Sequence, residues 1–458
     1  MSQVLRPLTC LVLILLPGLA PCAIPRAFAG VVADAPTVTS EILVTSAGGD
    51  RLALQANVPF RDGIASGTVV SVFPDSLRQV IDGIGTSFTE SSAFVLAHLE
   101  PSRRREVMER IFGAAGADFT LTRTHIGSCD FSVAGKYSYA AKSGDRSLKH
   151  FTIAPDLEGF DPARWPGVKD ARYDLLPMIQ EAQAIKHAGP DSTLRIIASA
   201  WTAPPWMKDN DTWYIPGSPE NKWQGSGGSL KAKHLATYAD YLVRYLDAYR
   251  AAGVPIWGLT PVNEPNGNGG NWESMNFSPE SQRDFIRNQL GPRLFDQGHR
   301  DVKLLIYDQN RDDLERWADT ILSDRLAASY SWGTAIHWYE STFKVYEDAL
   351  DRVHDRFPDK ALVHTEGCID NLGNKAGGGI TDPAGYQESG WFQNDAFWWR
   401  PNATDWAYTA TWAGPGAADH PVYTPVHRYA RNIIVSLDHW VSGWVDWNIV
   451  LDLSLIHI

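Results

Sequence analysis

Two rhythms of apolar and polar positions alternate along most of the chain. Apolar and β-branched runs at Ile81–Phe88, Phe119–Gly127, Leu194–Trp201, Ile256–Glu264, Lys303–Asn310, Gly333–Tyr339, Ala361–Cys368 and Ser442–Asn448 read as strands. Between them, Pro101–Phe112, Tyr173–Ala188, Leu230–Ala252, Pro279–Phe295, Asp312–Leu322 and Val345–Arg356 carry apolar residues three or four apart, the spacing of an amphipathic helix. Strand and helix taking turns predicts a parallel sheet, and eight such repeats predict closure into an α/β fold of the (β/α)8, or TIM, barrel type. Ahead of the first barrel strand, Thr37–Val80 reads instead as short β segments, Glu41–Thr45, Leu52–Asn57 and Thr68–Phe73. Such segments bury no face alone, so they predict an additional, here incomplete, β-sandwich side domain.

The two ends break the pattern. Arg6 precedes an apolar run, Leu8–Leu19, that closes with Ala27-Phe28-Ala29, the layout of a signal peptide. The run is shorter than the roughly 20 residues of a spanning helix and Pro17 interrupts it, so no stable membrane anchor is expected. The predicted organisation is therefore a signal peptide at 1–29, the N-terminal segment of the side domain at 30–78, the barrel at 79–450 and an atypical end at 451–458. Leu453–Ile458 lacks the Gly, Pro and Asn of a connecting loop, which suggests a truncated C-terminus and an exposed sheet edge of low stability.

Composition narrows the chemistry. The chain has 458 residues, 53 acidic against 41 basic, and its net charge falls from -12 to -14 once the leader, with Arg6, Arg26 and no acid, is removed. Such a surface repels phosphate backbones, so no nucleic-acid partner is expected. Removal of the leader leaves Cys129 and Cys368, each beside a candidate site residue at the end of a different strand, and two thiols are expected rather than a disulfide. The 18 Trp residues, many beside acids, amides or His, suit stacking on the flat faces of sugars as well as filling a large core. No HExxH, paired Cys or EF-hand spacing occurs, so no metal and no cofactor is expected. Gly225–Gly228 and Gly377–Gly379 lack phosphate-loop context and read as loops able to shape an entrance.

In a barrel of this kind chemistry gathers at the carboxyl ends of the strands. Thr260-Pro261-Val262-Asn263-Glu264-Pro265 ends the fourth strand and Ala361-Leu362-Val363-His364-Thr365-Glu366 the seventh. A lone Glu at a strand end is more often a structural ion-pair partner. Two on facing parts of one rim form a pair able to cleave a glycosidic bond, Glu264 as acid/base and Glu366 as nucleophile. Asn263 suits a sugar 2-hydroxyl, while Arg123, His337 and Tyr339 lie near other strand ends and suit support of the nucleophile. Asp130 reads either as a turn cap or as a sugar ligand, and Trp201 and Trp447 either as packing or as stacking surfaces.

Eight segments, in order over roughly residues 75 to 450, carry a resemblance. They are Gly83-Ile84-Gly85-Thr86-Ser87-Phe88-Thr89-Glu90, Arg123–Ser132, Ala198–Lys208, Val262-Asn263-Glu264-Pro265, Phe277–Phe285, Ala335-Ile336-His337-Trp338-Tyr339, Thr365-Glu366-Gly367-Cys368 and Gly443–Asn448. Together they resemble glycoside hydrolase family 30, which includes the glucosylceramidases. The resemblance implies acid/base at Glu264, nucleophile at Glu366, a sugar subsite of Asp130, Trp201, Asn263 and Trp447, and a nucleophile surround of Arg123, His337 and Tyr339. The substrate implied is a β-glucoside, either glycolipid or oligosaccharide, with β-1,6-glucan and xylan as alternatives. A catalytically dead sugar-binding barrel is the reading from another class. The loops Asn210–Ser229 and Asn371–Trp406, the second rich in Trp, are expected to govern substrate choice.

Overall fold

The computed structural model describes residues 39–44, 53–60, 63, 67, 69, 71–73, 75–222, 224–339, 344–368 and 424–450. The predicted leader, the Asn371–Trp406 loop and the atypical end lie outside them.

Eight parallel strands close into a barrel: β5 (Gly83–Phe88), β6 (Leu121–Ile126), β7 (Arg195–Ala200), β8 (Gly258–Thr260), β9 (Lys303–Asn310), β10 (Gly333–His337), β11 (Ala361–Glu366) and β12 (Val441–Asp446), with β12 returning to β5. They are the eight predicted strands, in chain order, with shorter bounds except at β9, which keeps Lys303–Asn310. The fourth shrinks most, because Pro255 and Pro261 flank β8 and neither can donate to a ladder. Inside the barrel one apolar side chain comes from each of six strands, Leu121, Ile197, Leu305, Ala335, Val363 and Val445, and Trp257 and Trp332 pack against this set. Gly85 is obligatory at the β5–β6 contact, since a Cβ there would sit 1.8 Å from the Leu121 carbonyl oxygen.

The barrel helices are α1 (Glu90–Ala97), α2 (Pro101–Phe112), α3 (Leu175–Ala188), α4 (Leu235–Ala251), α5 (Pro279–Phe285), α6 (Gly291–Asp296), α7 (Leu314–Leu322), α8 (Arg325–Tyr330), α9 (Glu347–Arg356) and α10 (Thr424–Asp438). They cover the outer face of the sheet with the large core around Phe88, Leu246, Ile306 and Trp317. The single helix predicted over Pro279–Phe295 is three pieces, α5, a π-turn at Ile286–Leu290 and α6. Pro292 has no N–H for the helical ladder, and the wider turn absorbs the missing bond. Both α1 and α8 escape the periodicity reading because they are short, at 8 and 6 residues. Side-chain caps start them, Thr89 accepting from the Ser92 amide and Asp324 from those of Leu326 and Ala327.

Residues Met1–Leu77 form a separate unit. Where described, it holds two antiparallel pairs of two-residue strands, β1 (Thr39–Ser40) with β4 (Val58–Pro59) and β2 (Leu43–Val44) with β3 (Ala53–Leu54). The predicted segments Glu41–Thr45 and Leu52–Asn57 contain β2 and β3, while the described positions of Thr68–Phe73 form no strand. Leu43, Leu54, Val58 and Phe60 are each more than half exposed, so these pairs bury little apolar surface.

Candidate active site

β6 is buried along its whole length yet reads Leu-Thr-Arg-Thr-His-Ile, and a buried Arg must be paired. The Arg123 guanidinium reaches three acceptors. Nη1 donates to Glu366 Oε2 at 2.6 Å, and Nη2 donates to Asn263 Oδ1 at 2.7 Å and to Asp308 Oδ2 at 2.8 Å. Its face lies over Trp201, 4.9 Å from the ring centroid. One side chain therefore ties β6 to the ends of β8, β9 and β11.

Glu264 and Glu366 meet across the mouth. One oxygen of each, with one ring nitrogen of His337, lie within 4.8 Å of one another. Tyr339 Oη donates to Glu366 Oε1 at 3.1 Å. His337 acts on Glu366 through its charge, while its two hydrogen bonds run from Nδ1 to Glu264 Oε1 at 3.4 Å and from Nε2 to Asp308 Oδ1 at 3.0 Å. Both ring nitrogens are thereby engaged. A shift of register between Ile336 and His337 accompanies the placement of this ring.

The electrostatics follow from burial and pairing. Burial and the nearby Glu264 push the Glu366 carboxyl above its usual range, while His337 and Arg123 pull it back. Burial disfavours charge on His337, but Glu366 and Asp308 outweigh it and raise the imidazole to about 9. Burial, then Glu366, Glu264 and Glu273, push Asp130 well above the carboxylate range. Its Oδ1 is shielded and has no hydrogen-bond partner.

A cavity of about 370 Å³ opens over the pair, lined by Asp130, Phe131, Trp201, Asn263, Glu264, Asn268, Trp272, Gln309, Asn310, Tyr339, Glu366 and Trp447 among the described residues. Trp201 and Trp447 stack on each other at 5.3 Å and 23°, and Phe131 meets Trp447 edge-on. Of the nine residues anticipated, seven line this cavity, and Arg123 and His337 support it from below. A smaller cavity of about 180 Å³ beside Phe295, Tyr330 and Trp332 holds none of them. No disulfide joins Cys129 and Cys368.

Sequence reasoning missed Asp308, Gln309 and Asn310 at the end of β9, and Asn268 and Trp272 in the loop after β8. An acid at the carboxyl end of a predicted barrel strand was the available signal for Asp308.

Comparison with known proteins fits this geometry. Residues 81–378 match the model of the glycosyl hydrolase family 30 TIM-barrel domain. Over 403 residues the chain is 30% identical to lysosomal acid glucosylceramidase of Mus musculus, covering 87% of this chain and 64% of that protein. Over 295 residues it is 30% identical to the endo-1,6-β-D-glucanase of Neurospora crassa, covering 64% of this chain and 54% of that one. The crystal structure of SrfJ from Salmonella typhimurium shares the fold, with a TM-score of 0.68 at 24% identity over 90% of this chain and 75% of that one.

Proposed function

Because the chain belongs to glycosyl hydrolase family 30, we propose that it is a secreted, retaining β-glycosidase of the glucosylceramidase or β-glucosidase type. One observation carries the reading: carboxylate oxygens of Glu264 and Glu366 approach within 4.8 Å. Retaining enzymes hold their two carboxyl groups about 5–5.5 Å apart, whereas inverting enzymes need about 6.5–9.5 Å to admit a water.

In the first half of the reaction the Glu366 carboxylate attacks the anomeric carbon as the Glu264 carboxyl gives its proton to the departing oxygen. A glycosyl ester on Glu366 results. In the second half Glu264 takes a proton from water, the hydroxyl oxygen attacks the same carbon, and Glu366 leaves as carboxylate. The reaction requires one proton between the two carboxyls, carried by the acid/base. The short bond from Arg123 and the one from Tyr339 favour leaving the negative charge on Glu366.

Substrate contacts follow from the same bonds. Arg123 is donor-only, so Asn263 must present its oxygen to Arg123, which leaves its amide NH2 for a sugar 2-hydroxyl. The unpartnered oxygen of Asp130 suits another hydroxyl, and Trp201 and Trp447 form the wall against which a pyranose packs. Export rests on the leader-like residues 1–29.

The test is turnover of an activated aryl β-glucoside by the parent, Glu366→Gln and Glu264→Gln. The Glu366 change is expected to cost roughly three decades or more, within the roughly 10⁶-fold or greater acceleration enzymes provide. Variants equal to the parent would leave only a sugar-binding barrel. The likeness to the Neurospora crassa glucanase supports a second substrate, β-1,6-glucan. Rates on glucosylceramide, β-1,6-glucan and xylan decide among the three.

A further inference from the structure

At Tyr307 and Asp308 the backbone of β9 turns left-handed at two successive non-glycine residues, φ being 72° at each. Such conformations are unfavourable for residues with a side chain and persist only where the surroundings enforce them. The β10 ladder shows what they achieve. Ala335 pairs with Tyr307 and Ile336 with Gln309, so Asp308 is the extra residue of a bulge, a device that re-aims a side chain. The Tyr307 amide donates to Gln282 Oε1 at 2.9 Å, and the Asp308 carbonyl accepts the amide of Glu264 at 2.9 Å.

The re-aimed carboxylate is fully buried and saturated. Oδ2 accepts from Arg123 at 2.8 Å, Ser199 at 2.7 Å and Thr260 at 2.8 Å. Oδ1 accepts from Thr365 at 2.6 Å and His337 Nε2 at 3.0 Å. Through Arg123 it touches the partner of Glu366, and through His337 the partner of Glu264.

We propose that Asp308 is the positioning residue that decides how protons are shared between Glu264 and Glu366, an inference that rests on reading those two as the catalytic pair. The reason is charge balance in a buried cluster, where an uncompensated charge is costly. Arg123 and His337 bring two positive charges, Asp308 and Glu366 two negative ones, and the cluster is neutral with a proton on Glu264. Remove the charge of Asp308 and the cluster is left cationic. Arg123 cannot release a proton, so His337 or Glu264 must, and the second loss disables the acid.

The other groups facing this cluster do not supply the missing charge. Asp130 is driven toward its neutral form by burial and by Glu366, Tyr339 is a neutral donor, and burial holds His364 neutral on the far side of β11. Burial opposes ionisation of Asp308 too, but Arg123 and His337 overcome it and hold the carboxyl far below its usual range.

Asp308→Asn keeps the shape and removes the charge. The expected result is a fall in kcat of about 100-fold or more with KM changed less than about 3-fold, and an alkaline limb of kcat moved at least about one pH unit toward acid. Asp308→Asn combined with His337→Gln removes one charge of each sign and is expected to move that limb back. Histidine ¹⁵N NMR, with His337→Gln to assign the resonance, reads the same balance without turnover. His337 should hold its proton to near pH 9 in the parent and lose it at least about one unit lower in Asp308→Asn. An unmoved limb together with an unmoved His337 titration overturns the proposal, even if the variant is slow or unstable. Should Asp308→Asn yield no soluble protein, His337→Gln alone is expected to raise the acid limb by about one unit, and a parental acid limb overturns it. A parent inactive on every β-glycoside would defeat the catalytic reading instead, while the His337 titration still decides the role of Asp308.

Discussion

Charge at Glu366 depends on donors that differ in kind. Arg123 offers a planar fork that serves Glu366, Asn263 and Asp308 at once, at 2.6–2.8 Å. A lysine carries all its donors on one nitrogen and cannot reproduce the planar fork that reaches from Glu366 to Asp308. Arg123→Lys is therefore expected to lower kcat/KM by about 100-fold or more, since it weakens charged hydrogen bonds worth roughly 1.5–3 kcal/mol each. Tyr339 makes one neutral donation to the same carboxylate. For Tyr339→Phe a loss nearer 10-fold is expected from one such bond, and a KM close to the parent's would place it with the transition state. Steady-state kinetics on one aryl β-glucoside compare the two.

Among the elements, the loops that frame the cavity hang on one buried ammonium. Lys208, which ends the short helical turn after β7, donates to the carbonyls of Trp213 and Gly227 at 2.7 Å and of Ser274 at 2.8 Å. Burial draws its pKa down to about 7, yet three acceptors in bonding range use all three protons of the charged form. The residues it joins belong to the loop after β7, already expected to influence substrate choice, and to the loop after β8 that carries Asn268 and Trp272. Lys208→Met removes a donor from all three carbonyls, of which that of Gly227 keeps the Asn210 amide and that of Trp213 the Ser274 N–H, so a loss of roughly 1–3 kcal/mol in total is expected. The variant is expected to melt lower than the parent and to show a raised KM that varies with the leaving group. Equal KM ratios across several aryl and alkyl glucosides would separate this clamp from substrate choice. The π-turn between α5 and α6 and the bulge in β9 show the same logic, a local departure from regular geometry held by surrounding contacts.

For the whole molecule, two acids buried outside the mouth link stability to pH. Asp156 accepts from Tyr137, Tyr139 and Tyr249, yet burial outweighs these bonds and lifts its carboxyl to about 7. Burial and then Asp174 lift Glu90, which opens α1, to about 8. Both carboxyls keep a proton in the fold that they lose near pH 4 when the chain unfolds. The folded state thus binds more protons between about pH 4 and 8, and stability falls as pH rises through that window. The melting temperature is expected to be several degrees higher at pH 5 than at pH 8, and Asp156→Asn should flatten that slope. A profile rising from pH 5 to 8 would contradict this assignment.

What the chain determines by itself is the repeat and the identity of its main acids. A parallel strand covered on both faces must be apolar for most of its length, so the eight runs stand out between helical spacings. A polar residue ending such a run has no packing role, which made Glu264, Glu366 and Tyr339 legible. Tertiary structure alone decided the rest. Glu264 and Glu366 are 102 positions apart in the chain, and only closure of β12 onto β5 brings strands four and seven across one mouth. Asp308 sits in Tyr-Asp-Gln-Asn just before the acid-rich Arg-Asp-Asp, where no periodicity marks it. Its left-handed backbone exists because Arg123, Ser199, Thr260, His337 and Thr365, from five other strands or their ends, converge on one carboxylate. A charge is placed by everything around it, and in a barrel the surroundings come from the whole ring.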